Sequence, residues 1–140
     1  MTKKFKFINN QSKKEFLALP DVVQKRFAND LNAICQDREP FSKFKHLKDS
    51  VGIGAVELIE NGRPAYRTVY VAKFADTVFI LHSFTKTTNG VDRKAMDTAK
   101  KRYKLMMKEI KKWYINTCIN ISVDICCSLV NQRGLIMALE

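Results

Sequence analysis

Between Ala55 and Thr88 the chain reads AVELIENGRPAYRTVYVAKFADTVFILHSFTKTT, apolar runs in which Glu57, Arg67, Tyr70, His82 and Lys86 stand at fixed places. Their neighbours are mostly Val, Ile, Leu and Phe, so a largely apolar sheet carries groups that move protons and hold phosphates. That set suits an RNA phosphodiester. Breaking one needs a base for the 2′-hydroxyl proton, cations for the charge building on phosphate oxygens, and an acid for the leaving 5′-oxygen. RNA brings its own nucleophile, so this chemistry calls for no metal and no cofactor.

Each group has a second, purely structural reading. Arg67 is permanently charged and bidentate toward phosphate, or it is the ion-pair partner of Glu57. Glu57 is correspondingly an orienting carboxylate or a structural one. His82 titrates near neutral pH and suits a base or an acid, or it is a satisfied core group. Lys86 is a phosphate cation or a solvated strand end. Phe84 stacks on a flipped-out base or fills the core, and Tyr70 reads as hydroxyl-bonded core. Strand alternation places Arg67, Val69, Val71 and Lys73 on one face. On the following strand it places Val78, Ile80, His82, Phe84 and Lys86 together, with Phe79, Leu81 and Ser83 opposite. In a suitable register the two cationic faces coincide in one basic, aromatic-edged concavity.

The elements that must position these groups follow from periodicity and punctuation. Lys3 to Ile8 alternates apolar and basic residues as a short strand does, and Asn9-Asn10 break it. Ser12-Lys-Lys-Glu15 matches a capping box, with Ser12 at the helix start and Glu15 reaching back. That helix runs to about Leu19, and Pro20 suits the first turn of a second helix. The second helix buries Val23, Phe27, Leu31 and Ile34. Arg38 to Ser50, containing FSKFKHLK, reads as loop. Strands follow at about Gly54–Ile59, Tyr66–Phe74 and Val78–Phe84, with Asn61-Gly62 as the hairpin turn. Asp92 caps a last long helix. On it Met96, Ala99, Tyr103, Met106, Ile110 and Trp113 form an apolar stripe, while Lys94, Lys101, Lys104, Lys108 and Lys111 form a cationic one. The whole is an α+β arrangement around an antiparallel meander.

The 140 residues carry a formal charge of +11, which points to a polyanionic or acidic partner. Residues 1–50 hold 11 basic and 6 acidic side chains and residues 91–114 hold 9 and 3, against 4 and 3 in residues 51–90. The excess therefore rides on the helical segments, and the sheet keeps only selected cations. Cys35, Cys118, Cys126 and Cys127 lack zinc-type spacing, and the N-terminus is charged, so reduced thiols in a cytoplasm are expected. Trp113 to Val130 leans apolar, yet Asn116, Asn120, Ser122 and Asp124 make it too polar for a membrane span. The nearly uncharged tail Tyr114–Glu140 is an extra strand, a docked helix or an arm exchanged between two copies in a homodimer.

The strings FKHLK, AYRTVY and LHSFTK, in that order before a Lys-rich helix, resemble the RelE/HigB toxin superfamily, in particular its phage-derived HigB-like branch. The resemblance covers roughly Lys3 to Trp113. It implies a RelE-like toxin domain over residues 1–113, with residues 114–140 as a C-terminal extension. It further implies the toxin of a type II toxin–antitoxin system, an endoribonuclease that cuts ribosome-bound mRNA by 2′-OH attack. Products would be a 2′,3′-cyclic phosphate and a 5′-hydroxyl. Partners would be the ribosome, mRNA and a cognate helix-turn-helix antitoxin, with no membrane. The site would comprise Arg67 as phosphate ligand with His82, Lys86 and Glu57. On the residues' own reading Lys73, Phe84 and Arg93 would bind RNA, and the stripe with Lys94, Lys101, Lys104 and Lys108 either contacts RNA or is an ordinary solvated helix face. Two departures stand out: Ile59 and Thr87 occupy positions where many relatives carry cations, and Arg63, Lys73 or Arg93 are the candidates to compensate. Two other readings compete: a non-cleaving RNA- or ribosome-binding module, and a protein-interaction partner whose basic surface meets an acidic or helical protein.

Overall fold

The computed structural model describes residues 3–74 and 76–119. The expectations for the tail beyond residue 119 lie outside the described residues. Contacts divide the chain into two compact units, Met1–Tyr103 and Lys104–Glu140. The elements run β1 (Lys4–Phe7), α1 (Asn10–Leu17), α2 (Asp21–Cys35), β2 (Lys43–His46), β3 (Ala55–Glu60), β4 (Ala65–Val71), β5 (Thr77–Lys86) and α3 (Arg93–Ile119). The result is a mixed α+β fold with one five-stranded sheet in the order β1-β5-β4-β3-β2. β3, β4 and β5 form the expected antiparallel meander, and β1 lies parallel to β5. Among the described residues no helix is long and apolar enough to cross a membrane.

Helices α1 and α2 bury the stripe read from their sequence. Phe16, Val23, Phe27, Leu31 and Ile34 pack with Val56 and Leu58 of β3, Tyr70 of β4 and Val78 and Ile80 of β5. Burial, with the charge of Asp30 adding to it, pushes the Tyr70 hydroxyl up to about 12. The start of α1 differs from expectation. Asn9 is the N-cap, and its Oδ1 accepts from the Ser12 amide at 2.8 Å while the Ser12 hydroxyl accepts from the Asn9 amide at 3.3 Å. The box is thus closed by Asn9 and Ser12. Glu15 is released from capping, and it turns instead toward β5 and α3.

The segment read as loop contains a strand. β2 pairs antiparallel with β3, setting Lys45 opposite Glu57 and Lys43 opposite Ile59. All four β2 side chains are exposed, so no apolar alternation announced it. β4 ends at Val71, which leaves Lys73 beyond the strand. Its ammonium donates to the Tyr103 hydroxyl at 3.2 Å, and that hydroxyl donates to the Ile53 carbonyl at 2.7 Å. Gly52 lies beneath the Tyr103 ring: a Cβ there would sit 2.5 Å from two ring carbons. Lys73 therefore braces the 50s loop and is not among the cleft-lining residues.

The largest departure from simple alternation is a β-bulge in β5. Val69 pairs with His82 while the next residue, Tyr70, pairs with Ile80, so Leu81 has no partner of its own. One extra residue turns the remainder of the strand over. Val78 and Ile80 face the helical hairpin, whereas His82 and Phe84 align with Val69 and Arg67 on the opposite face. The sequence expectation that all four share a face is corrected by this single irregularity.

Helix α3 begins under an Asp92 cap, whose Oδ1 accepts from the Ala95 amide at 3.1 Å. Arg102, one helical face away, is 8 % exposed. Its guanidinium forms a two-pronged ion pair with Glu15 and donates to the Leu81 carbonyl, freed at the bulge, at 2.9 Å. His82 Nδ1 also meets Glu15 Oε1, at 2.8 Å. Burial works to raise the Glu15 carboxyl, but the hydrogen bonds from Arg102 and His82 outweigh it and hold the group below its ordinary value. Removing one partner of such a pair strands a buried charge, whereas replacing both by apolar groups is close to neutral. Arg102→Met is accordingly expected to lower unfolding stability by about 3–5 kcal/mol and Glu15→Leu/Arg102→Met by less, the remaining loss being the Leu81 carbonyl left without its donor. Urea unfolding of Glu15→Leu, Arg102→Met and the double variant beside the wild type, in a double-mutant cycle, measures the difference.

Candidate active site

Register places two rows of residues across the face opposite the helical hairpin. One row runs Lys45, Glu57, Val69, His82; the next runs Lys43, Ile59, Arg67, Phe84. Over this face opens a cleft of about 230 Å³ lined by Lys45 and Leu47, Ser50, Glu57, Phe84 and Lys86, and by Gly90 to Asp92 with Met96. Its floor is the Glu57 carboxylate, with an ammonium from β2 and another from β5 among its walls. Phe84, Val91 and Met96 supply apolar surface beside this polar centre.

Glu57 is the electrostatic focus. Burial pushes its pKa up from the ordinary carboxylate value, and the positive charges of Arg67, Lys86 and Lys45 pull only part of the way back. A carboxyl shifted toward neutrality by desolvation, yet ringed by cations, is poised to exchange a proton. Arg67 sits behind it, 7 % exposed. Its Nε lies 3.6 Å from Glu57 Oε1, while the rest of the guanidinium donates to the carbonyls of Tyr66 (3.0 Å) and Glu60 (3.3 Å) and to Asn61 Oδ1 (3.2 Å). Arg67 thereby ties Glu57 to the β3–β4 turn and is not itself among the cleft-lining residues.

The other expected residues divide clearly. Lys86, Glu57 and Phe84 line the cleft. His82 shares their face but is engaged by Glu15, and its ring stacks on Phe84 with centroids 5.0 Å apart and planes 20° apart. Burial lowers the His82 pKa, opposed by the bond and charge of Glu15. Lys73 is held by Tyr103 and does not join the group. Arg63 and Arg93 are exposed, as are Lys94 and Lys101. Lys104 and Lys108 are also exposed and belong to the second unit.

Three residues were missed by sequence reasoning: Lys45, Glu15 and Arg102. Lys45 lies inside the FKHLK string, on the fully exposed edge strand β2. Glu15 was assigned to capping. Arg102 falls on neither stripe of α3, an isolated position that could have marked it as buried and paired.

Residues 14–104 match the family described as phage-derived protein Gp49-like (DUF891). No curated protein and no solved structure matches the chain. The matched span begins one residue before Glu15 and ends two after Arg102, taking in every residue of the cleft. It covers well over half of the 140 residues, and the chain belongs to the phage-derived Gp49-like family.

Proposed function

We propose that this protein is the toxin of a type II toxin–antitoxin pair, of the HigB-like branch, and cleaves ribosome-bound mRNA in the cytoplasm without a metal. The observation that carries this reading is the buried Glu57 carboxyl, raised in pKa, on the floor of a cleft walled by Lys45 and Lys86. In its ionised form Glu57 takes the proton of the attacking 2′-hydroxyl. The two ammonium groups meet the charge that builds on the phosphate oxygens, and Lys86 is the proton donor the cleft offers to the leaving 5′-oxygen. Arg67 keeps the carboxylate in place from behind. Lys45 supplies from β2 a cation that the chain lacks at Ile59. The exposed lysines of α3 add a non-specific attraction for ribosomal RNA, and a helix-turn-helix antitoxin would be the cognate partner.

A second reading is favoured by one observation. The donors of Arg67 are largely taken up by protein carbonyls, Asn61 and Glu57. Such a site has fewer cations free for a transition state, and the same fold would then bind RNA without cutting it. Purified protein added to a translating extract, with primer extension along the message, decides between the two. Breaks inside codons at stalled ribosomes support cleavage. Ribosome association without breaks supports the binding module, and neither outcome removes RNA from the account.

Glu57→Gln is expected to lower cleavage by roughly 10²-fold or more. The sign of its effect on stability is opposite to that of an ordinary core lesion. A carboxyl whose folded pKa is raised costs stability once ionised, and the attraction of Arg67 is already included in that net shift. The variant should therefore melt at or above the wild-type temperature at pH 7, which calorimetry reads directly. For the wild type, cleavage should fall as pH drops through a value above the usual 4.5 of a glutamate, because the base is then protonated. Lys45→Ala and Lys86→Ala should each lower the cleavage rate by about 10²-fold, if each removes one transition-state contact. Charge reversal at Lys101 and Lys108 should instead weaken ribosome binding and flatten its salt dependence, with the rate of cleavage at saturation preserved.

A further inference from the structure

The Glu15–His82–Arg102 cluster lies outside the cleft, and the chemistry above leaves it unused. It joins three elements: α1 through Glu15, β5 through His82 and α3 through Arg102. Because Arg102 engages both oxygens of Glu15, the carboxylate is ionised and can only accept hydrogen bonds. The contact from His82 Nδ1 at 2.8 Å therefore places the proton of the neutral ring on Nδ1 and leaves Nε2 as the acceptor. Arg102 lies 3.2 Å from the same Nδ1, where it cannot donate to a nitrogen that already carries hydrogen. The ring is thus fixed in tautomer and in plane by one strong bond.

What the ring touches gives the arrangement its meaning. His82 stacks on Phe84, with 5.0 Å between centroids, and so occupies one face of the phenyl group. The other face and the edge are what remains to line the cleft beside Val91 and Met96. An unpaired base stacks well only on a ring whose plane is already set, since ordering it on binding would consume part of the gain. A phenylalanine on a strand has no hydrogen bond with which to fix itself. Here a neighbouring imidazole, itself bonded, does so.

We propose that Glu15 and Arg102 are positioning residues that act through His82 to fix Phe84 as the stacking platform for an unpaired nucleobase. The proposal rests on the reading of the cleft as an RNA site. A bystander role for the cluster, merely docking α3, is the competing account. Docking uses the Glu15–Arg102 pair and the Leu81 carbonyl, and leaves the bond between His82 Nδ1 and Glu15 without a purpose. That bond is attached to the ring that backs the cleft.

Glu15→Leu/Arg102→Met removes both charges together and should stay folded, which circular dichroism checks. The probe is a 2′-O-methyl oligonucleotide of mixed sequence, which offers stacking and phosphates but no nucleophile. It should shift the Phe84 ring resonances of the wild type, and the double variant should bind it about tenfold more weakly. The salt dependence of binding should be the same in both, since Lys45 and Lys86 are untouched. Nitrogen-15 spectra of the wild type, which need no variant, should show His82 in the Nδ1–H tautomer alone; both tautomers should appear in the double variant. The proposal is overturned by a folded double variant that binds as tightly as wild type, or by wild-type His82 sampling both tautomers. A wild-type protein that binds the probe yet never cuts mRNA sinks the nuclease reading and leaves this one standing. Absence of any binding sinks both.

Discussion

The candidate site depends on Leu81 and His82 sharing one partner, Val69, across the β4–β5 ladder. Without that extra residue, His82 and Phe84 would follow Ile80 into the hairpin core among Phe27, Leu31 and Leu58. The imidazole would then be drawn away from Glu15, and the cleft would lose its aromatic wall. A bulge leaves backbone groups outside the ladder, and a buried carbonyl without a donor is costly. The guanidinium of Arg102 supplies the missing donor at Leu81. One side chain of α3 therefore stabilises the irregularity that separates the polar face of the sheet from its packed face.

The two central carboxylates show how one fold sets opposite protonation tendencies within one sheet's reach. Both Glu15 and Glu57 are drawn from water, and burial acts to raise both. Glu15 receives direct hydrogen bonds from Arg102 and His82, which reverse the shift; Glu57 meets Arg67 only at 3.6 Å and stays raised. The first is thereby a fixed charge that organises its surroundings. The second is a group that can change its proton, which is the difference between a structural and a chemical acid.

Much of this was legible in the residues. The apolar stripe of α2, the Asn61-Gly62 turn, the meander and the Asp92 cap follow from local rules. The pairing of Glu57 with Arg67 was one of two readings the residues allowed, and the register sets them diagonally, Glu57 beside Val69 and Arg67 beside Ile59. What escaped did so for physical reasons. β2 buries nothing, so no hydrophobic period marks it. The bulge is accompanied by a bond from Arg102 to the Leu81 carbonyl, a contact between residues 21 positions apart that no local pattern announces. The role of Glu15 needed a partner 87 positions away, and the nearer option of capping looked sufficient. Lys73 was placed by extending β4 too far, where the close packing of Tyr103 on Gly52 instead draws it toward the 50s loop.

Lys45 rides on a strand of four residues, hydrogen-bonded on one side only and exposed throughout. Short edge strands open and close at low free energy, well below that of global unfolding, because few contacts must break. One wall of the cleft is therefore its least cooperative part, while the floor and the opposite wall belong to central strands. Fraying of β2 would draw Lys45 away from Glu57 while leaving the central strands paired.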